Sequence, residues 1–176
     1  MFGRRPLISL AALLVWGVAG CGGVNDSGEP GGGASDTQAA AARQISGNWR
    51  GTLHQAELPP FQIAVDISAG STAQVAYTGI KCGGDWDLDQ VQTPTPSHYV
   101  YVFTERIDRG AGGSCKGTGK VSVSPIQREI PNEPAYQQMN YRFTGGGVTS
   151  TGLIHRTDPE HIHAIFKQAG VPAPSG

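Results

Sequence analysis

The stretch Gly47-Asn48-Trp49-Arg50-Gly51 separates two kinds of sequence in this chain of 176 residues. Before it, the chain is rich in glycine, alanine and serine, whereas after it apolar and polar side chains alternate. Alternation with a period of two predicts β-strands that bury one face. The stretch therefore marks the start of the folded domain, with one large aromatic side chain between two glycines.

Downstream of this stretch, the chain reads as eight short strands. The clearest covers residues 61–67, where every second side chain is a large apolar one. Proline and glycine turns separate the strands at intervals of about 8–12 residues, which predicts an all-β domain over residues 47–157. We expect an eight-stranded antiparallel up-and-down barrel, because closure leaves no exposed strand edge. A β-sandwich is the alternative.

The tail of the chain, residues 158–176, carries a helical signal. The stretch 157–160 (Thr-Asp-Pro-Glu) is typical of a helix N-terminus, and Gly170 with Pro172 ends the apolar run that follows. These signals predict a short C-terminal helix over residues 158–169. We expect it to pack on the outside of the barrel or over one end.

Residues 1–20 have the layout of a secretory signal peptide. Arg4 and Arg5 supply positive charge, and residues 7–18 form an apolar run that is too short to span a bilayer as a stable helix. The two arginines also resemble a twin-arginine export signal. Both the general and the twin-arginine export routes therefore stay open.

The signal segment ends in Val18-Ala19-Gly20-Cys21, which resembles the lipobox of bacterial lipoproteins. The resemblance implies that the Cys21 thiol is lipidated and that the chain is cut before it. Two or more acyl chains anchor a protein stably, here on the extracytoplasmic face of a cell membrane. A plain signal peptide that leaves a free thiol at Cys21 is the alternative.

Residues 21–46 read as the lipidated cysteine followed by a flexible tether. The segment has no aromatic residues and almost no branched apolar ones, so it lacks the side chains that would order it. A glycine-rich linker of this length spans roughly 25–30 Å. Such a tether is long enough to lift a small domain clear of the lipid headgroups.

Positions at both ends of the strand region resemble the calycin and lipocalin pattern. They are the Gly-x-Trp of Gly47 and Trp49 in the first strand, and Arg156 at the end of the eighth. The resemblance implies that Arg156 packs over Trp49 and closes one end of the barrel, with a cation on an aromatic face. A barrel of eight strands is either filled by side chains or holds one small ligand, and the sequence leaves both open.

A longer pattern resembles small extracytoplasmic modules of uncharacterised bacterial lipoproteins and of some membrane-bound Ser/Thr kinases. It comprises Gly47-x-Trp49-x-Gly51, Tyr77, Cys82-Gly83-Gly84-x-Trp86-x-Leu88, Phe103-x-Glu105-x-Ile107, Cys115 and Leu153-x-x-Arg156. This resemblance implies a fold and a location, and it implies no chemistry.

Cys82 and Cys115 are left as a pair once Cys21 is lipidated. Both lie in predicted turns beside glycines, and an even number of cysteines in an oxidising compartment favours a disulfide. Such a bridge would stabilise the fold by about 3–4 kcal/mol on the chain-entropy model. Redox catalysis would need a close Cys-x-x-Cys pair, which the sequence lacks.

Glu105 is the charged residue that the strand pattern places closest to the core. It falls in phase with the large apolar side chains of its strand, so an inward Glu105 needs a buried partner. Arg50, Arg142 and Arg156 are the candidate partners. We interpret the group as a buried ion pair near a barrel end. A ligand anchor or general acid is the functional alternative, and an outward-facing charge also stays open.

Two further clusters contain residue types that bind metals. His155, His161 and His163 lie close together in sequence, but the last two are spaced to point to different faces of a helix. The aspartates at alternate positions over residues 85–89 share one strand face, whereas calcium needs converging oxygens from a loop. We expect solvated surface residues in both clusters, with no metal and no cofactor.

Composition and missing motifs narrow the function. A net charge of −1 without a basic stripe argues against a nucleic-acid partner. No phosphate loop, nucleophile elbow or catalytic carboxylate pair stands in the sequence. We predict a membrane-anchored binding or accessory module without enzymatic activity, for a small apolar ligand or an envelope protein. A structural subunit of an envelope complex and an envelope enzyme that uses Glu105 are the alternatives.

Overall fold

A computed structural model describes residues 33–68, 71–95, 97–112, 115–127 and 136–174. The predicted signal segment, Cys21 and the first part of the predicted tether lie outside these residues. Within the described ranges the elements are α1 (Gly33–Gln44), β1 (Gly47–Gln55), β2 (Phe61–Ile67), β3 (Thr72–Tyr77), β4 (Cys82–Thr95), β5 (His98–Gly110), β6 (Gly117–Gln127), β7 (Tyr136–Gly145), β8 (Val148–Arg156) and α2 (Pro159–Ala169).

The strands form a closed antiparallel barrel. Each strand pairs with the next one in sequence, and β8 returns to pair with β1 and complete the ring. This arrangement confirms the predicted eight-stranded up-and-down barrel, and the alternative β-sandwich is wrong. Closure pairs both edges of every strand, so the sheet presents no open edge to another chain.

The two ends of the barrel differ. Trp49 and Arg156 stand opposite each other in the β1–β8 register, and they mark what we call the closed end. The connections β1–β2, β3–β4, β5–β6 and β7–β8 lie at the opposite end, which we call the open end. The barrel interior towards the closed end is filled by large side chains. They are Trp49, Leu53, Ile63, Val65, Trp86, Tyr101, Phe103, Met139 and Ile154.

The closed end is covered by residues that the sequence placed in the flexible tether. Ala41 in α1 and Ile45 just after it are buried in the barrel core. The indole Nε1 of Trp49 donates a hydrogen bond of 2.8 Å to the carbonyl of Ile45, and the Tyr101 hydroxyl donates one of 3.0 Å to that of Ala41. The folded unit therefore begins at α1, earlier than the predicted boundary after residue 46.

This difference has a physical reason. The last carbonyls of an α-helix have no partner within the helix, and a buried indole or phenol needs an acceptor for its proton. The end of α1 and the closed end of the barrel satisfy each other. Neither helix in the described residues is long and apolar enough to cross a membrane.

The predicted C-terminal helix is present as α2, on the outside of the barrel. Its apolar side chains Ile162, Ile165 and Phe166 are buried in one cluster with Ala64 of β2 and Ala76 of β3. The two alanines are opposite each other in the β2–β3 register. Their small side chains leave a flat surface against which the helix packs.

The β4–β5 hairpin is long and irregular. β4 continues to Thr95 and β5 begins at His98. The register between the two strands shifts after Leu88 and again after Gln92. A β-bulge adds a residue to one strand and breaks the period of two, so the pattern concealed a continuous strand.

The predicted disulfide between Cys82 and Cys115 is confirmed. It joins the first residue of β4 to the segment just before β6, with the two Cα atoms 5.4 Å apart. The bridge lies at the open end, where it links the β3–β4 connection to the β5–β6 connection.

Glycine is required at position 47 for two reasons, the backbone conformation and the lack of space for a side chain. Its φ is +120°, and a Cβ at this position would lie 2.7 Å from Nη1 of Arg156. We expect Gly47→Ala to lower the free energy of unfolding by about 1–3 kcal/mol, since both the strained backbone and the displaced guanidinium cost stability. Chemical denaturation of the purified protein measures this change.

Gly117→Ala is the matched control. A Cβ at Gly117 would meet no atom within 4 Å, and Gly117 does not have a positive φ. We expect its effect to stay within about 0.5 kcal/mol. Equal losses for the two variants would contradict the role given to Gly47.

Candidate functional site

The open end of the barrel holds a cavity of about 520 Å³. Cavities that bind small molecules in proteins have volumes of about 300–1,000 Å³. The wall of the cavity at the open end is mainly apolar, and the polar groups deeper inside it come from three strands. The apolar side chains are Phe61, Ile80, Ile107, Phe143 and Val148, and the polar groups at the floor are Tyr77, Glu105 and Tyr141.

Glu105 is the centre of this floor. Its side chain is buried, with 3% of the residue surface exposed. The indole Nε1 of Trp86 donates a hydrogen bond of 2.7 Å to Oε1, and the Tyr77 hydroxyl donates a second bond to the same oxygen. The hydroxyls of Tyr77 and Tyr141 lie 3.1 Å apart. One carboxylate oxygen thus holds a network of three aromatic side chains.

The strand registers build this network. Trp86 stands directly opposite Glu105 in the β4–β5 pair, and Gly119 stands opposite it in the β5–β6 pair. A Cβ at Gly119 would fall within the space of the Phe143 ring. The glycine therefore leaves space for the Phe143 ring in the cavity wall, where a larger residue would displace it.

Burial alters the acidity of the floor groups. Loss of solvent raises the pKa of Glu105 above its ordinary value of 4.5, although the hydrogen bonds from Tyr77 and Trp86 act in the opposite direction. Burial, followed by the nearby Glu105, raises the pKa of Tyr77 and of Tyr141 well above the usual value of 10. Both phenols therefore keep their protons at neutral pH, and Tyr77 acts as a donor.

The predicted ion pair between Glu105 and an arginine is wrong. Arg50 and Arg142 are exposed, and Arg156 lies at the closed end. Arg50 follows the inward-facing Trp49, and Arg142 follows the inward-facing Tyr141, so strand alternation turns both arginines outward. In the described residues no arginine or histidine bonds to Glu105.

Sequence reasoning missed the actual partners of Glu105. The strand pattern treats Tyr77, Trp86 and Tyr141 as apolar bodies, whereas each has a polar tip that needs a partner when buried. The sequence did indicate that these three side chains face inward, as Glu105 does, from three different strands. Choosing among them requires the register of the strands, which the sequence does not display.

At the closed end, Arg156 and Trp49 interact as the calycin resemblance implied. The guanidinium carbon lies 4.5 Å from the centroid of the indole ring. Arg156 also donates hydrogen bonds to three carbonyls, those of Tyr136 at 2.7 Å, Ser46 at 2.8 Å and Gln44 at 3.1 Å. These bonds join the end of β8 to α1, to the residue before β1 and to the start of β7, so this pair closes the barrel.

The three aspartates of β4 are paired with cations across strands, where the sequence suggested a solvated face. The pairs are Asp85–Arg109, Asp87–Arg106 and Asp89–Lys120. The side-chain hydrogen bond from Lys120 lowers the pKa of Asp89. Exposed ion pairs contribute about 0–1 kcal/mol each, so these pairs mainly balance the charge of the outer face.

The histidines do not converge. Nδ1 of His161 lies 3.2 Å from the Thr157 hydroxyl. Burial raises the pKa of Asp66, and the charge of His163 acts in the opposite direction. Across the described part of the chain, no three His, Cys, Asp or Glu side chains come together in a group that could hold a metal ion.

The rim of the open end is apolar. In the described ranges the large apolar side chains with high exposure are Leu58 at 40%, Ile80 at 42% and Val148 at 42%. Leu58 lies in the β1–β2 connection, Ile80 in the β3–β4 connection, and Val148 beside the β7–β8 turn. The exposed apolar surface is therefore concentrated where the cavity opens.

A second cavity, also of about 520 Å³, lies on the outer surface between α2 and strands β1 and β8. Its lining includes Arg50, His54, His155 and Ile165. It is a groove on the outside of the sheet, and it has no connection with the Glu105 network.

Comparisons of the chain with protein-family models, with curated proteins and with solved structures found no match. Function is therefore inferred from the geometry of the cavity.

We expect the free energy of unfolding of Glu105→Gln to exceed that of the wild type by an amount that grows as the pH rises. The raised pKa means that the folded protein keeps the Glu105 proton to higher pH than the unfolded chain does. The wild type therefore loses stability as pH rises from 4.5 through the folded-state pKa. Glutamine keeps an oxygen acceptor for Tyr77 and Trp86 without the buried charge.

Denaturant unfolding of both proteins between about pH 4 and about pH 8 tests this linkage. The stability difference should be small at the acid end, where the glutamic acid is protonated in both states, and should grow with pH. Glu57→Gln removes an exposed carboxylate and controls for the change in net charge. Parallel profiles for the wild type and Glu105→Gln would contradict the effect of burial.

Proposed function

We propose that the protein is a lipid-anchored extracytoplasmic module that binds a small amphipathic ligand in the cavity at its open end. The observation that carries this proposal is the cavity itself, of about 520 Å³, with apolar walls over a polar floor. The interior towards the closed end is filled by side chains, so the ligand enters and leaves by the open end.

An amphipathic ligand fits the distribution of groups. Phe61, Ile107 and Phe143 would contact an apolar body, with about 25 cal/mol gained for each Å² of apolar surface removed from water. Glu105 and Tyr141 would contact a polar group at the deep end. The exposed rim would cover the part of the ligand nearest the opening.

The proposed location rests on the sequence, with support from the disulfide. The lipobox-like stretch ending in Cys21 predicts the anchor. A Cys82–Cys115 bridge is typical of proteins in oxidising compartments, which include the extracytoplasmic space. Membrane attachment through Cys21 and a folded ligand-binding domain outside the membrane form one consistent arrangement.

A protein partner at the open end is the second candidate function. The apolar rim of Leu58, Ile80 and Val148 favours it, because exposed apolar residues concentrated in one place are typical of interaction surfaces. In this case the protein would act as an accessory subunit of an envelope complex. The binding experiment below separates the two candidates.

We expect the protein to bind N-phenyl-1-naphthylamine, a small apolar fluorophore, at one saturable site. A Cys21→Ser chain without its signal segment is suitable for fluorescence titration. Ile107→Trp should weaken binding by about tenfold or more, because the indole would fill the cavity.

Val102→Trp is the matched control for this titration. Val102 lies on the same strand as Ile107 but on the outer face, so the same substitution leaves the cavity unchanged. Absence of saturable binding, or binding that Ile107→Trp leaves intact, would overturn the small-ligand function. A protein partner at the rim would then be the remaining candidate.

The anchor is tested by Cys21→Ser in a bacterial host that processes lipoproteins. We expect the wild type to sediment with membranes and to carry the mass of acyl chains, and the variant to lose both. Cys115→Ser, which removes one of the two sulfur atoms of the disulfide, should stay membrane-bound. A wild-type protein without acyl mass would contradict the proposed anchor.

A further inference from the structure

We propose that the cavity selects a small amine that carries at least one N–H when protonated, whose ammonium group binds Glu105 while its apolar body fills the space above. This inference rests on the proposed ligand-binding function and specifies the chemistry of the ligand. Three features of the open end support it.

The first feature is a buried carboxylate without a cation. The salt bridges of the described residues join exposed or half-buried side chains on the outer surface, and none includes Glu105. Lys116 also lines the cavity, but its side chain is exposed at the mouth. A buried carboxylate is stable when an opposite charge and hydrogen bonds compensate it, and here the chain supplies only the hydrogen bonds.

The second feature is a free oxygen. Both hydrogen bonds to Glu105 fall on Oε1, and Oε2 receives none from the described residues. Since Glu105 lines the cavity, a donor on a ligand would reach Oε2.

The third feature is the aromatic surrounding of the carboxylate. Tyr77, Tyr141 and Phe143 line the same cavity, and the Trp86 ring stacks on Tyr141 with 6.0 Å between centroids. The faces of aromatic rings attract cations electrostatically. An ammonium group between these rings and Oε2 would gain from both interactions.

Other head groups fit the floor less well. An anionic head would meet the carboxylate of Glu105, and the Tyr77 hydroxyl already donates to that carboxylate. A hydroxyl head could donate to Oε2 but brings no positive charge. A quaternary ammonium brings charge but has no N–H to donate. A primary or secondary ammonium supplies both the charge and the donor.

The test uses three probes that differ only in the head group, namely octylamine, 1-octanol and octanoate. Each displaces the bound fluorophore from the Cys21→Ser chain at neutral pH. We expect octylamine to bind about tenfold more tightly than octanol, and octanoate to bind most weakly, since charged hydrogen bonds exceed neutral ones by about a factor of two in strength. Comparing the probes on this one protein does not depend on whether any cavity variant folds.

Variants then locate the selectivity. In Glu105→Gln the ratio of octylamine to octanol affinity should fall from about ten to about one. Glu57→Gln removes an exposed carboxylate from the β1–β2 connection and should keep the ratio, which controls for general attraction of cations to the mouth. A ratio that both variants keep, or that only Glu57→Gln loses, would overturn the assignment of the amine to Glu105.

The outcomes also distinguish this inference from the function on which it rests. If all three probes bind with equal affinity and Ile107→Trp blocks them, the ligand-binding function stands and the amine is wrong. If none of them binds and the fluorophore does not bind either, the ligand-binding function itself is wrong.

Discussion

The guanidinium of Arg156 is the group on which the closed end depends. It lies on the face of Trp49 and donates to carbonyls of three chain segments, before β1, at the start of β7 and at the end of α1. A single side chain thus holds together the first strand, the last strand and the preceding helix. Because β1 and β8 are also the two strands whose pairing completes the ring, this contact ties the first and last strands of the barrel together.

The barrel interior is filled by side chains at the closed end and contains a cavity at the open end. At the closed end, the side chains of Trp49 and Tyr101 are buried and donate hydrogen bonds to carbonyls at the end of α1 and just after it. Towards the open end, the polar groups of Glu105, Tyr77 and Tyr141 also satisfy each other, but they do so at the bottom of a cavity. In the described residues, both hydrogen bonds to the Glu105 carboxylate fall on one oxygen. The barrel therefore keeps a buried carboxylate beside a cavity.

Local patterns in the sequence revealed much of this molecule. Alternation of side chains is a property of a single strand, so the barrel strands and the inward phase of Glu105 could be predicted. The outer helix could be predicted from the signals at its two ends. The partners of Glu105 could not, because they depend on how strands far apart in sequence align. The packing of α1 on the barrel could not be predicted for another reason. Its hydrogen bonds to the barrel are made by backbone carbonyls, which every residue carries. Ala41, Ala42 and Ile45, spaced as on one helix face, were the signal that remained.

The attachment of α1 also has a mechanical meaning. Any tension on the chain ahead of Gly33 reaches the domain through α1, whose end is held by individual side-chain hydrogen bonds from Tyr101, Trp49 and Arg156. Beyond it, β1 is held on both sides by ladders with β2 and β8, whose many bonds share a load along the strand. The helix would therefore yield before the strands. Unfolding the 12 residues of α1 would lengthen the chain by about 2 nm while the barrel and its cavity stayed intact.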